Sequence, residues 1–91
     1  MSASIARSVV ISGRVQGVFF RDTMRRKARG HGVSGWVSNR PDGTVQAHLE
    51  GPPDAVAELV LWCRTGPRGA EVEDLEVTVA EPEGADGFVV R

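Results

Sequence analysis

Apolar and polar residues alternate with a period of two along much of this chain, a pattern typical of β-strands with one buried face. We expect strands at about 5–13, 33–39, 44–50, 70–80 and 88–91. The sequence RPDG at 40–43 predicts a turn that joins the second and third strands into a hairpin. Val72 is out of phase with the alternation that begins at Leu75, which predicts either a bulge in the fourth strand or a later start of that strand.

The third strand shows the alternation most clearly and predicts which side chains are buried. Its core side is expected to consist of Val45, Ala47 and Leu49. Its other side is expected to face water and to consist of Thr44, Gln46, His48 and Glu50. This arrangement is typical of an antiparallel sheet with one solvated face.

Two segments follow the three-to-four-residue period of a helix. The first, at about 21–31, has a thin apolar stripe formed by Phe20, Met24 and Ala28. The second opens at Gly51-Pro52-Pro53-Asp54, ends at Gly66-Pro67, and buries Val56, Leu59, Val60 and Cys63. The order β-α-β-β-α-β, followed by the short final strand, predicts an α+β, ferredoxin-like sandwich, in which two helices pack on one face of an antiparallel sheet.

Length and composition place this chain among small soluble proteins. With 91 residues, of which 41% are hydrophobic and 25% charged, we expect a single domain over 1–91. The apolar stretches are too short to span a bilayer, and a single cysteine cannot form an internal disulfide. We therefore expect a cytoplasmic monomer that does not bind a membrane.

Charge is distributed unevenly along the chain. Residues 1–45 carry eight basic and two acidic side chains, net +6, whereas residues 46–91 carry three basic and ten acidic side chains, net −7. Positive charge concentrated between Arg14 and Arg29 attracts an anion. The total of −1 argues against a dedicated nucleic-acid-binding protein, and the predicted solvated sheet face lacks the aromatic residues that would stack on RNA bases.

The sequence GRVQGVFFR at 13–21 joins the first strand to the first helix. A short glycine-containing loop that enters a helix can direct backbone N–H groups at one anion, and Gly17 can adopt the positive φ that such a loop needs. Arg21 would add a planar, bidentate donor. We expect the side chains of Val15, Val18, Phe19 and Phe20 to pack inward and Gln16 to stay exposed. The alternative is an ordinary strand–helix connection with Arg21 on the surface.

Two gapless motifs of this chain resemble the signatures of the acylphosphatase family. They are GRVQGVFFR at 13–21 and GWVSNRPDGTVQAHLEG at 35–51, and WCRTGPRGAEV at 62–72 also resembles the family after its second helix. The resemblance runs from about Val9 to Arg91. Ser38 is a departure, because the family more often has a larger, frequently basic residue before the asparagine.

The resemblance implies hydrolysis of the carboxyl–phosphate bond of an acyl phosphate, giving a carboxylate and inorganic phosphate. Arg21 would bind the phosphoryl oxygens, and Asn39 would orient the attacking water. The backbone amides of the loop would also hold the phosphate: Val15, Gln16, Gly17, Val18, Phe19 and Phe20. The family needs no metal and no cofactor. These residues suit the hydrolysis of an acyl phosphate. The carboxylate leaving group needs no general acid, and the Asn39 amide, which cannot act as a base near neutral pH, is needed only to orient water.

A second function remains open, because a non-catalytic module of the same fold could bind a phosphate or carbamoyl-type anion. The acylphosphatase-like domain of large hydrogenase-maturation proteins illustrates it. The short chain, without a second domain or zinc-finger cysteines, favours the standalone enzyme. We expect His31 and His48 to be structural or solvated, Trp36 to have a packing role, and Cys63 to be a buried, inert thiol. The sequence does not select one acyl phosphate.

Overall fold

The structure is a computed structural model that describes residues 4–91. Its elements, in chain order, are β1 (Ile5–Arg14), α1 (Phe20–His31), β2 (Ser34–Asn39), β3 (Val45–Gly51), α2 (Pro53–Cys63), β4 (Glu71–Ala80) and β5 (Phe88–Val90). Each element lies where the hydrophobic pattern predicts it. No helix among these residues is long and apolar enough to cross a bilayer.

The five strands form one sheet in the order β4-β1-β3-β2-β5. The first four strands pair antiparallel, and the predicted ferredoxin-like α+β fold is confirmed. The last strand differs from the expected all-antiparallel sheet, because β5 pairs parallel with β2 through Gly35–Phe88, Trp36–Val89 and Val37–Val90. The chain leaves β4 at one edge of the sheet and returns through residues 81–87 to the opposite edge.

The core lies between the helices and one face of the sheet, as the periodicity predicts. Phe20, Met24 and Ala28 of α1 are buried, and so are Val56, Leu59 and Cys63 of α2. They pack with the inward-facing residues of the strands, which include Val9, Ile11, Val37, Val45, Ala47, Leu49 and Phe88. The core therefore fixes where α1 begins relative to the end of β2.

The bulge predicted near Val72 is confirmed. The register between β1 and β4 shifts at Gly13, which pairs with Val72, while Ser12 pairs with Asp74, so Glu73 is the extra residue. Gly13 has a φ of 119°, and a Cβ there would collide with the carbonyl oxygen of Glu71. Glycine is needed at this point, where β1 ends and the loop at 15–19 begins.

The solvated face predicted for β3 is wrong for two of its residues. His48 is 4% exposed and Glu50 is 7% exposed. The segment 81–87 covers them, because the Glu50 carboxylate accepts backbone hydrogen bonds from Glu83 at 2.6 Å and Ala85 at 3.4 Å. The alternation of polar and apolar residues within β3 could not predict this burial, because the covering residues lie more than thirty positions away in the sequence.

Candidate active site

A cleft of about 400 Å³ opens where the loop at 15–19, the start of α1 and the ends of β2 and β5 meet. We call it the cleft. It is lined by Val15, Gly17, Phe19, Phe20, Arg21, Asp22, Arg25, Asn39 and Val90. Arg21 and Asn39, which the sequence places on separate elements, therefore line the same cavity.

The loop of the cleft has the backbone conformation that its sequence predicts at Gly17, with a φ of 75°. Val15 and Phe20 are buried, and Val18 packs partly against the core. Phe19 contradicts the expectation that it packs inward, since its side chain is 79% exposed. The reason is its φ of 62° and ψ of 27°, a left-handed conformation at the residue before α1.

Backbone donors in this loop are free of internal partners. Among residues 4–91, the N–H groups at positions 16–19 donate to no backbone oxygen. The first backbone hydrogen bond of α1 runs from the N–H of Thr23 to the carbonyl oxygen of Phe19, at 3.0 Å. The N–H groups of Phe20, Arg21 and Asp22 precede it and lie at the positive end of the helix dipole. The loop and the helix start thus present several unpaired donors in succession.

Arg21 occupies the second position of α1 and is partly buried. Its Nη1 donates to the backbone oxygen of Arg91 at 3.2 Å. None of the ion pairs among residues 4–91 involves Arg21. Because the guanidinium has no aspartate or glutamate partner among these residues, its remaining donors can bind an anion in the cleft.

Asn39 ends β2 and is followed by the tight turn that the sequence predicts. The N–H of Gly43 donates to the carbonyl oxygen of Arg40 at 3.1 Å, and Asp42 Oδ1 accepts from the Thr44 hydroxyl at 2.6 Å and its N–H at 3.0 Å. Those bonds from Thr44, more than the Arg40 charge, hold the pKa of Asp42 below its ordinary value. The turn therefore gives Asn39 a fixed support.

Gln16 links the loop to that turn and is not the exposed residue that we expected. It is partly buried, and its Nε2 donates to the carbonyl oxygens of Arg40 at 2.8 Å and Thr44 at 2.9 Å. Because Arg40 follows Asn39 directly, these two bonds couple the position of the loop to that of the Asn39 backbone. The sequence analysis selected Gln16 only for its backbone amide, as one of the groups that would hold phosphate, and did not predict that its side chain links the loop to the turn.

Three residues of the cleft were not predicted. Arg25 and Asp22 form an ion pair in which Nη2 and Oδ1 are 2.7 Å apart. Arg25 could have been found from its spacing, since a residue four positions after Arg21 lies on the same helix face. Val90 belongs to β5, and a three-residue strand carries too little pattern to reveal the strand beside which it lies.

Several other residues lie away from the cleft. Ser38, where the chain departs from the family pattern, pairs with Gln46 and is not in the lining. Trp36 stacks on His48 with ring centroids 6.2 Å apart, in agreement with a packing role. Cys63 is fully buried, and burial raises the pKa of its thiol to about 12, as expected for an inert cysteine.

His48, Glu50 and Glu83 bring one nitrogen and two carboxylate oxygens within 4.8 Å of one another, a spacing that could suit a metal ion. They do not line the cleft. Glu50 Oε2 already lies 2.6 Å from His48 Nε2 and accepts the N–H of Glu83 at 2.6 Å, and Trp36 Nε1 donates to Glu83 Oε1 at 3.1 Å. The group satisfies its own hydrogen bonds and fastens the segment 81–87 to the sheet.

Comparison with known proteins supports one family. The acylphosphatase family model matches residues 7–90. A relative from Haloquadratum walsbyi, named acylphosphatase, is 53% identical over 83 residues, which cover 91% of this chain and 89% of that protein. The structure of an acylphosphatase from Coxiella burnetii matches with a TM-score of 0.93 at 35% identity, covering 97% of this chain and 93% of that one.

A larger protein shares the fold. Full-length HypF in its phosphate- and nucleotide-bound form matches with a TM-score of 0.93 at 23% identity, covering 100% of this chain and 12% of HypF. That likeness concerns the fold alone. The fold and the cleft define a ferredoxin-like α+β domain with a cationic cavity at the end of its sheet. The chain belongs to the acylphosphatase family, and the expectation of an enzyme of that family is confirmed.

Proposed function

We propose that this chain hydrolyses the carboxyl–phosphate bond of acyl phosphates in the cleft, without a metal or cofactor. The observation that supports it best is that Arg21, which pairs with no aspartate or glutamate among residues 4–91, lines one cavity with Asn39 and the loop of unpaired amides. The products are a carboxylate and inorganic phosphate.

The phosphoryl group is held by Arg21 and by the backbone N–H groups of residues 15–20. Phosphoryl transfer needs positioning and charge stabilisation, and an arginine at the transferring group contributes on the order of 10³-fold or more to the rate. Fixed amides of a loop and a helix start stabilise negative charge without reorganising during the reaction. Both groups act on the equatorial oxygens, where the transition-state charge is spread.

The charge of the cleft suits a dianionic group. The Asp22 carboxylate lines the cavity and would repel phosphate, but it lies 2.7 Å from Arg25 Nη2 and is neutralised there. Among the side chains that line the cavity, Arg21 then leaves one net positive charge. A substrate anion is thus attracted to the Arg21 side of the cleft.

Asn39 orients the attacking water through its side-chain amide. The water oxygen attacks phosphorus as the bond from phosphorus to the acyl oxygen breaks, and that oxygen leaves with the bonding electrons as a carboxylate. The water loses its proton to solvent or to a phosphoryl oxygen, since the lining offers one carboxylate, Asp22, and that group is paired with Arg25. A carboxylate leaving group has a conjugate acid with a pKa of about 4, so no general acid is required.

The test is hydrolysis of benzoyl phosphate by the purified chain with EDTA present, beside Arg21→Ala and a matched control, Arg26→Ala. Arg26 is an exposed arginine of the same helix that does not line the cleft. We expect the parent and Arg26→Ala to turn over and Arg21→Ala to lose about 10³-fold or more. A folded parent that binds phosphate without hydrolysing benzoyl phosphate would show an anion-binding module instead.

A further inference from the structure

Phe19 combines three features that local rules disfavour. Its ring is 79% exposed, whereas Phe20 and Phe88 are 2% and 1% exposed. Its φ of 62° makes it the single non-glycine residue with a positive φ among residues 4–91. It also caps the N-terminus of α1 without a side-chain hydrogen bond, where serine, threonine or aspartate would stabilise the helix.

Each feature costs stability. An exposed phenyl ring gives up the free energy of its burial, and a non-glycine residue in a left-handed conformation costs on the order of 1 kcal/mol or more. Residues that break local rules in this way are concentrated at sites of function. Gly17, two positions earlier, shows that the loop uses glycine for a positive φ elsewhere.

The position of Phe19 relates it to the substrate. Its carbonyl oxygen accepts the first hydrogen bond of α1, which fixes its backbone next to Arg21. Its side chain lines the cleft together with Val90, which is 38% exposed. These are the exposed apolar side chains of the lining, because Val15 and Phe20 are buried.

We propose that Phe19, with Val90 beside it, contacts the acyl group of the substrate and favours acyl phosphates with an aromatic or extended apolar acyl group. This inference rests on the proposed function, because a phosphate held by the loop must direct its acyl group outward past the loop's own side chains. A substrate whose acyl group carries a second carboxylate would need a cation to bind it. Arg25 is already paired with Asp22, so Arg21, which holds the phosphoryl group, is the one unpaired cation of the cleft lining.

The test compares kcat/KM for benzoyl phosphate with kcat/KM for acetyl phosphate. Both substrates carry the same phosphoryl group, so damage to the loop lowers both values and cancels in their ratio. The variants are Phe19→Ala, Phe19→Gly and Phe19→Tyr, with Val79→Ala as the control for loss of an 80% exposed side chain outside the cleft. Glycine accepts the backbone conformation of Phe19 without strain, so the variant series separates the ring from the strain.

We expect the benzoyl-to-acetyl ratio to fall about 3- to 10-fold in both Phe19→Ala and Phe19→Gly, the effect of one aromatic pair in contact. Phe19→Tyr and Val79→Ala should keep the parental ratio. An unchanged ratio in the alanine and glycine variants overturns the inference while leaving acyl phosphate hydrolysis intact.

A parent that hydrolyses neither substrate contradicts the proposed function, and the inference is then decided by binding. The probes are benzoylphosphonate and acetylphosphonate. In both, the acyl carbon is bonded directly to phosphorus, so they keep the acyl group but lack the bridging oxygen at which hydrolysis occurs. The same fall in their affinity ratio supports a role for Phe19 in acyl recognition. An unchanged ratio, or a parent that binds neither probe, overturns it.

Discussion

The side-chain nitrogen of Gln16 lies 2.8 Å from the carbonyl oxygen of Arg40, 24 positions later in the chain. A second bond from the same nitrogen reaches the carbonyl oxygen of Thr44 at 2.9 Å. One neutral side chain thus joins the loop proposed to hold phosphate to the turn that supports Asn39. Neither element touches the other through a backbone hydrogen bond among residues 4–91.

Gln16→Glu should lower kcat/KM for benzoyl phosphate by about 10- to 100-fold, because small misplacements of reacting groups carry costs of this size. Glutamate has nearly the same shape but cannot donate to two carbonyl oxygens when ionised. The assay is steady-state hydrolysis near neutral pH, with urea unfolding to follow stability. Gln46→Glu, on β3 and outside the cleft, is the matched control.

A purely structural Gln16 would give a different result. The urea midpoint would then fall while kcat and KM of the remaining folded protein stayed parental. Equal losses in Gln16→Glu and Gln46→Glu would also contradict a positioning role, since the second glutamate changes charge alone.

Asn39→Ala should lower kcat on the order of 10²-fold and leave the inhibition constant of inorganic phosphate within about twofold. In the proposed mechanism the amide acts on water, whereas Arg21 and the loop hold the phosphoryl group. The measurement pairs kcat for benzoyl phosphate with competitive inhibition by phosphate. A large rise in the phosphate inhibition constant with unchanged kcat would place Asn39 in phosphate binding instead.

The sequence predicts the fold well because the elements follow strong local patterns. The stripe of Phe20, Met24 and Ala28 and the alternation of β3 directly encode which faces meet in the core. The motifs at 13–21 and 35–51 likewise identify the two halves of the cleft. These predictions succeed because they depend only on periodicity within an element and on spacing within a motif.

The failures have a common physical origin in contacts between distant segments. His48 and Glu50 are buried because residues 81–87 fold over them, and β5 joins β2 in parallel from the far edge of the sheet. The prediction that Phe19 is buried fails for a local reason. Its hydrophobicity predicts burial, but its left-handed backbone conformation directs the ring outward. Backbone conformation at a single residue is not encoded in the hydrophobic pattern.

Glu50→Gln should destabilise the protein at pH 7 by about 1.5–3 kcal/mol, the range for hydrogen bonds to a charged group. Burial alone would raise the pKa of Glu50, but hydrogen bonds from Glu83, His48 and Ala85 outweigh it and lower the pKa below 4.5. The unfolded chain therefore binds the proton more tightly. The stabilisation is complete above about pH 4.5 and is lost as the pH falls through the lower folded-state pKa.

The difference in unfolding free energy between the parent and Glu50→Gln should accordingly shrink between pH 5 and pH 3. Urea unfolding at several pH values measures it, with the exposed Glu58→Gln on α2 as control. A difference that stays constant over this range would mean that the ionised carboxylate is not what fastens the segment 81–87.

Cys63 should react with a disulfide reagent at pH 8 at least about 10³-fold more slowly in the native protein than in the unfolded chain. It is the one cysteine of the sequence, so the signal is a single thiol per chain. Two causes act together. The side chain is fully buried in the core, and burial raises the pKa of the thiol to about 12, so little thiolate is present in the native protein.

The reaction rate of Cys63 should therefore follow the unfolding equilibrium and rise with urea in proportion to the unfolded fraction. Leu59→Ala, which removes a buried side chain of α2 from the core, should raise the rate in the absence of urea. A fast native rate that does not change with urea would show that the thiol is reached through a local opening, and that α2 is not held as tightly as its buried face indicates.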